Sequence, residues 1–233
     1  MVKRGIIAAA LLMLAALPAQ AESPLGTIKA VKSMPINGVR MIETEQGVFF
    51  ASDNGRFVWK GPLYDMWSAR KVETLADIDA VAGRVDLKKI GVDFSQLATF
   101  TLGEGNKEEV VFVTPTCPHC QKLLDQAAKL TKDYRFVVVL LPLGPRDIDV
   151  AKRLVCLADK GKALQALISR NYEALPPGNC PLTPLQKNLV TARVLGITSV
   201  PYLVRHDGLI KVGAVPDLAA WLAAVKPEQK GGS

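Results

Sequence analysis

The sequence predicts an α+β protein in two parts: a small antiparallel β segment, a helical linker, and a larger α/β domain. Three observations carry this expectation. Short β-prone runs separated by Glu-Gln-Gly and Asp-Asn-Gly fill residues 39–60. The stretch TLADIDAVAGRVDLKKIG then places apolar residues at helical spacing. From Phe94 onward, β-branched runs alternate with helix-like stretches, and a Cys-x-x-Cys stands where one such run meets a helix.

In chain order, residues 1–21 carry Lys3 and Arg4, an apolar stretch from Gly5 to Leu17, and the small-x-small triplet Ala19-Gln20-Ala21 before Glu22. This is the pattern of a secretory signal peptide cut after Ala21. The stretch is shorter than the roughly 20 apolar residues of a membrane span. The mature chain, 22–233, is therefore expected to be soluble in an oxidising compartment, where disulfides persist. Removing Lys3 and Arg4 leaves 27 of the 29 basic residues against 22 acidic ones. With no basic run and no basic patch interleaved with aromatics, this mild excess fits a solvated surface, and no nucleic-acid partner is expected.

Residues 22–73 form the expected N-terminal domain, with strands at Val39–Thr44, Val48–Ser52 and Arg56–Lys60. So small a unit is hard to stabilise alone. Its aromatics Phe49, Phe50, Phe57, Trp59 and Trp67 need cover, and a second copy of the chain is one source. The linker is expected over 74–93. Leu75, Ile78, Ala82 and Val85 fall on one helical face, Thr74 and Asp77 resemble a capping box, and Gly91 suits the stop. Gly83 weakens the middle by roughly 1 kcal/mol relative to alanine.

Residues 94–227 form the expected third part, followed by a tail at 228–233. Gln96–Leu102 and Glu108–Pro115 are read as strands around the turn GEGN, Pro118–Lys132 as a helix, and YRFVVVLLP as a buried strand. Helices follow at Asp147–Asp159 and Lys162–Arg170, then the loop ALPPGNCPLTP. TPLQKNLVTARVLG reads as a helix capped by Thr183, with Pro184 in the first turn, Gln186 completing the box and Gly196 ending it. VPYLVR and LIKV form a hairpin around Asp207-Gly208, and PDLAAWLAAV is the last helix. No internal repeat is evident.

The chemistry centres on Cys117-Pro118-His119-Cys120. A thiol just before the first turn of a helix gains from the free N–H groups and the positive dipole end, which favour its thiolate. Cys117 sits there and is the expected attacking sulfur; Cys120, a turn deeper, is the expected resolving one. Pro118 suits a position with no N–H to waste, and His119 adds a donor or positive charge that favours the thiolate and the reduced form. Two other readings are open: a structural disulfide, or half of a zinc site. Zinc, however, would want a second close pair, and Cys156 and Cys180 are far apart. Haem attachment needs histidine directly after the second cysteine, where Gln121 stands. No metal and no cofactor are expected. Cys156 falls on a helix and Cys180 in a Pro-rich loop, so a structural bridge is the preferred reading, with a second redox pair as its alternative. His206, beside Asp207-Gly208, reads as an exposed turn residue.

From about Ile36 to Val225 the chain resembles the periplasmic disulfide isomerases of the DsbC and DsbG type. The likeness rests on Asp53-Asn54-Gly55, Gly61-Pro62-Leu63-Tyr64-Asp65, Thr116-Cys117-Pro118-His119-Cys120, the later pair Cys156 and Cys180, and Val200-Pro201. It implies a cystatin-like dimerisation domain, a helical linker, and a thioredoxin fold with a helical insertion. It also implies a structural disulfide between Cys156 and Cys180. A further implication is a cis Pro201 facing the dithiol, with the Val200 backbone free to hold an extended substrate strand. The implied partners are misfolded disulfide-containing proteins, a second copy of the chain, and a membrane thiol reductase of the DsbD type. Two residues depart from that pattern. Val200 replaces the usual threonine, and Pro118-His119 is the dipeptide of the oxidase DsbA. The expected function is that of a homodimeric periplasmic thiol-disulfide isomerase. A protein oxidase is the runner-up; a holdase chaperone and a thiol reductase for cytochrome assembly are further alternatives.

Overall fold

The computed structural model describes residues 25–34 and 38–224. The expected signal segment and the tail lie outside the described residues. The chain divides into two compact units, one of residues 25–33 and 38–61, the other of residue 34 and 62–224.

The first unit is a four-stranded antiparallel sheet in the order β1-β2-β3-β4, made of Ile28–Ser33, Val39–Thr44, Gly47–Ser52 and Val58–Trp59. Two of the expected strands are present; β4 is shorter than expected, and β1 lacked turn signals strong enough to mark it. Gly55 takes a φ of 67°, the left-handed conformation that glycine adopts without strain, so Asp53-Asn54-Gly55 closes the β3–β4 connection. Asn54 Oδ1 accepts from the Ser52 hydroxyl and the Arg56 N–H, which satisfies the turn's polar groups locally. Met41 and Phe50 are buried, and Phe50 stacks on Trp59 with ring centroids 5.8 Å apart. One face is thus covered from within, while Ile28, Val31, Phe57 and Val58 remain exposed.

The second unit begins with the hairpin β5 (Leu63–Asp65) and β6 (Arg70–Val72), followed by helix α1 (Leu75–Val81). The expected capping box forms: Thr74 Oγ1 accepts from the Asp77 N–H, and the Asp77 carboxylate accepts from the Thr74 N–H. The helix then stops at Ala82, well before the expected stop at Gly91. Gly83 takes a φ of 75° and turns the chain away, so Gly91 ends nothing helical. Residues 83–85 instead pair with the turn at 205–210: Val85 N–H donates to Gly208 O, Ile210 N–H donates to Gly83 O, and Arg84 grips Asp207. Val85 is core, as its spacing suggested, but on an extended segment rather than a helix.

The main sheet has the order β11-β10-β8-β9-β7, with β7 Thr99–Leu102, β8 Lys107–Val113, β9 Tyr134–Leu140, β10 Tyr202–Val204 and β11 Ile210–Val212. Only β8 and β9 run parallel, joined by α2 (Pro118–Ala127) as a βαβ crossover. Alternation along the strands builds two cores. Val111, Val113, Phe136, Val138, Leu140 and Leu203 face one side, packed against α2, α3 (Pro145–Cys156), α4 (Lys160–Ser169) and α6 (Leu218–Ala223). Val110, Phe112, Val137, Val139, Tyr202 and Val204 face the other, under Val85, Leu87 and the Ala192 and Leu195 end of α5 (Thr183–Val194). A central sheet buried on both faces explains why β8 and β9 read as unbroken apolar runs. The α5 cap differs from expectation: Leu182 occupies the N-cap with no side-chain bond, and Thr183 is already helical, so no capping box forms.

Candidate dithiol site

β8 ends at Val113, and four residues later Cys117 becomes the N-cap of α2, with φ −77° and ψ 119°. Its Sγ accepts from the Cys120 N–H at 3.3 Å, the bond a serine or aspartate oxygen makes at other helix starts. Pro118 takes the first helical position. Cys117 is half-buried, Pro118 and His119 are exposed, and Cys120 is fully buried. Burial pushes the Cys120 thiol well above its ordinary pKa, and the neighbouring Cys117 sulfur raises it further. The two sulfurs are therefore chemically unequal: one reachable beside helix N–H groups, the other shielded and held protonated.

The Val200–Pro201 peptide is cis. Tyr202 pairs with Phe112 and Val204 with Val110, so the start of β10 lies level with the end of β8 that leads to the dithiol. Val200 and Cys117 both pack against the helix-covered core. Val200 also borders a groove of about 380 Å³ lined by Leu141, Leu143, Leu189, Ile197 and Ser199. Cys117, Pro118, His119, Cys120, Val200 and Pro201 thus gather at one end of the sheet. Cys156 and Cys180 do not join them. They are bonded to each other at 2.08 Å, tying the last residue of α3 to the Pro-rich loop before α5. Among the described residues, no cluster of His, Cys, Asp or Glu could hold a metal ion.

The loop entering the dithiol is gripped from both sides by residues the sequence did not single out. Gln121 Nε2 donates to Pro115 O at 2.7 Å, and the Tyr172 hydroxyl donates to the same carbonyl at 2.9 Å. Arg170 holds the Gln121 side-chain oxygen at 3.1 Å and pairs with Asp125. Burial pushes the Tyr172 hydroxyl up to about 12, which keeps it a donor. On the other flank, buried Asp147 accepts from the Thr116 hydroxyl at 2.5 Å and from the Thr116 N–H at 3.4 Å. Sequence offered no signal for these: Asp147 looks like any acid in a first helical turn, and Tyr172 lies in a loop 51 residues from Gln121. His206 is an exposed turn residue, as expected. What the sequence did not show is its partner: its N–H and Nδ1 both meet the buried Glu109 of β8, 97 positions away.

A reachable cysteine capping a helix, a buried cysteine one turn on, and a cis-proline beside them on a thioredoxin-like sheet define a thiol-disulfide oxidoreductase. Comparison with known proteins agrees. Residues 97–226, more than half of the chain, match the thioredoxin-like domain family, and residues 14–75 match the N-terminal domain of disulfide bond isomerases. The chain belongs to the thioredoxin-like family, in its DsbC/DsbG branch. It is 27% identical over 212 residues to the thiol:disulfide interchange protein DsbC of Dickeya dadantii, covering 87% of this chain and 83% of that one. The DsbC of Escherichia coli K12 is 23% identical over 194 residues, covering 80% and 76%. Among solved structures, a disulfide interchange protein from Neisseria gonorrhoeae aligns with TM-score 0.47 and 23% identity over 54% of this chain and 90% of that one.

Proposed function

We propose that this protein is a homodimeric periplasmic isomerase that rearranges non-native disulfides in secreted proteins through Cys117 and Cys120. The Cys117 thiolate attacks one sulfur of a substrate disulfide; a Cys117–substrate bond forms, the substrate disulfide breaks, and the freed substrate thiolate leaves. That thiolate attacks another substrate disulfide, and a substrate thiolate finally displaces Cys117, so the disulfide count is unchanged. If the mixed disulfide stalls, Cys120 loses its proton and attacks Cys117, releasing reduced substrate and an oxidised enzyme. A membrane thiol reductase of the DsbD type then returns two electrons. His119 stabilises the attacking thiolate, Pro118 fixes the helix start, and Val200 with Pro201 receives the extended substrate strand.

The observation that favours isomerase is the isomerase-type N-terminal domain joined to this dithiol. The dimer reading, placed on residues 22–73 ahead of a linker at 74–93, is supported by edge strand β1 with Ile28 and Val31 exposed, alongside Phe57 and Val58. A second reading, a DsbA-like oxidase, is favoured by Pro118-His119 and Val200. No helix among the described residues is long and apolar enough to cross a membrane. Periplasmic export rests on the signal-like pattern at 1–21.

Two substrates decide between the readings: a scrambled multi-disulfide protein and the same protein fully reduced. An isomerase reactivates the scrambled form and scatters light as a dimer. Faster activation of the reduced form, from a monomer, would establish the oxidase. Val31→Lys is expected to weaken the dimer and slow reactivation while leaving exchange with glutathione unchanged.

A further inference from the structure

The helical insertion sends one buried acid to the dithiol loop, and neither the capping geometry nor the exchange cycle above uses it. Asp147 is 8% exposed and sits in the first turn of α3, where the helix N-terminus favours negative charge. Its Oδ1 takes both the hydroxyl and the N–H of Thr116, the residue before Cys117. Oδ1 is 3.4 Å from the Thr116 nitrogen and consecutive Cα atoms are about 3.8 Å apart, so this carboxylate lies within about 10 Å of the Cys117 sulfur. The other charged or titratable groups on elements around the loop are His119, Lys122 and Asp125 of α2, Arg146, Asp149, Lys152 and Arg153 of α3, Lys160 and Lys162 of α4, Arg170 after it, and Tyr172. Arg146 is exposed, and Arg170 is engaged by Gln121 and Asp125. Among the described residues, the Asp147 carboxylate bonds to Thr116 and forms no ion pair with a cation.

We infer that Asp147 is a positioning residue with an electrostatic effect: it fixes Thr116 and, through its negative charge, restrains thiolate formation at Cys117, making the dithiol a weaker oxidant than its helix cap and His119 alone would set. This rests on Cys117 and Cys120 being the redox pair. The dithiol with Cys117 ionised carries a charge that the disulfide lacks, so a nearby carboxylate disfavours the reduced form. At an effective dielectric of about 20, one charge about 10 Å away shifts an ionisation by roughly tenfold or more. The insertion would thus tune an active site whose dipeptide is that of a strong oxidant toward the weaker potential an isomerase needs.

The test is the equilibrium of the full-length protein with glutathione. One oxidised glutathione takes two electrons and two protons from Cys117 and Cys120, giving the protein disulfide and two reduced glutathiones. Asp147→Asn keeps an acceptor for Thr116 and removes the charge, and Asp147→Ser does so with a smaller group should the amide variant fail to fold. Either is expected to lower the equilibrium constant for oxidation about tenfold, about 30 mV toward a more oxidising couple. The pH midpoint of Cys117 alkylation should fall with it. Thr116→Val, which retains the charge but loses the hydroxyl, is expected to cost stability and move the constant less than threefold. A change below twofold in the Asp147 variants, or one in the opposite direction, overturns the inference. A wild-type protein whose Cys117 and Cys120 do not exchange with glutathione at all would instead overturn the functional reading beneath it.

Discussion

Asn188 is the buried polar residue on which the packing of α5 turns. It is fully buried, and its amide makes three bonds: Oδ1 accepts from the Ala98 N–H at 3.0 Å, and Nδ2 donates to Ala98 O at 2.8 Å and Leu140 O at 2.9 Å. The side chain thereby joins α5 to the entry of β7 and the end of β9. Replacing it by leucine keeps roughly the volume but strands one N–H and leaves two carbonyls short of a donor. With each such group costing about 1–3 kcal/mol, the expected loss is about 3 kcal/mol or more. At about 2 kcal/mol per M of urea, that lowers the midpoint by about 1.5 M. Alkylation of the fully buried Cys120, read by mass on the reduced protein, reports unfolding of this unit alone. A midpoint within 0.5 M of wild type, about 1 kcal/mol, would refute the claim that these three bonds hold the helix.

Four further outcomes are expected. Cys117→Ala abolishes exchange with a small disulfide, whereas Cys120→Ala keeps the first attack and accumulates a mixed disulfide visible by mass. Mild reductant followed by alkylation labels Cys117 and Cys120 before Cys156 and Cys180; simultaneous labelling would contradict a structural role for the second pair. Replacing Cys156 and Cys180 with serine opens a loop with a separation of 24 residues, and the chain-entropy relation gives a loss of about 3.5 kcal/mol, read by urea unfolding. Burial pushes the Tyr172 and Tyr202 hydroxyls up to about 12, so below pH 10 their contribution to stability is fully present. Between pH 10 and 12 the unfolded chain releases protons that the folded one keeps, and stability falls as pH rises; phenolate absorbance should show these two tyrosines ionising last.

What the sequence makes legible here is local or strictly periodic. Cys117 as a helix cap, Pro118 in the first turn, the Thr74–Asp77 box and the buried run of β9 each depend on residues within a few positions of one another. The errors lie where a distant segment competes for the same backbone. Gly91 is an acceptable helix stop in isolation, but the β10–β11 turn offers Gly208 O and Asp207 to residues 84–85, and a glycine at 83 lets the chain leave α1 early to take them. Thr183 is an acceptable cap, yet the helix begins one residue sooner, at a leucine.

The same division runs through the site. The dithiol announces itself because its four residues must be contiguous at a helix start. The residues that hold it come from the insertion: Asp147 is 31 positions from Thr116, and Tyr172 is 57 positions from Pro115. Nothing at those positions is unusual in composition; their roles arise only when α3 and the segment after α4 fold back over the loop. Contiguity explains why the kind of chemistry can be read from Cys117-Pro118-His119-Cys120, while its strength cannot. In the proposal above, the helix cap and His119 favour the thiolate, and a carboxylate delivered from outside the motif opposes them. Transplanting Pro118-His119 into a relative that lacks an equivalent of Asp147 is therefore expected to give a stronger oxidant than this protein, measurable by the same glutathione equilibrium. Equal constants in the two proteins would mean that the dipeptide alone sets the potential.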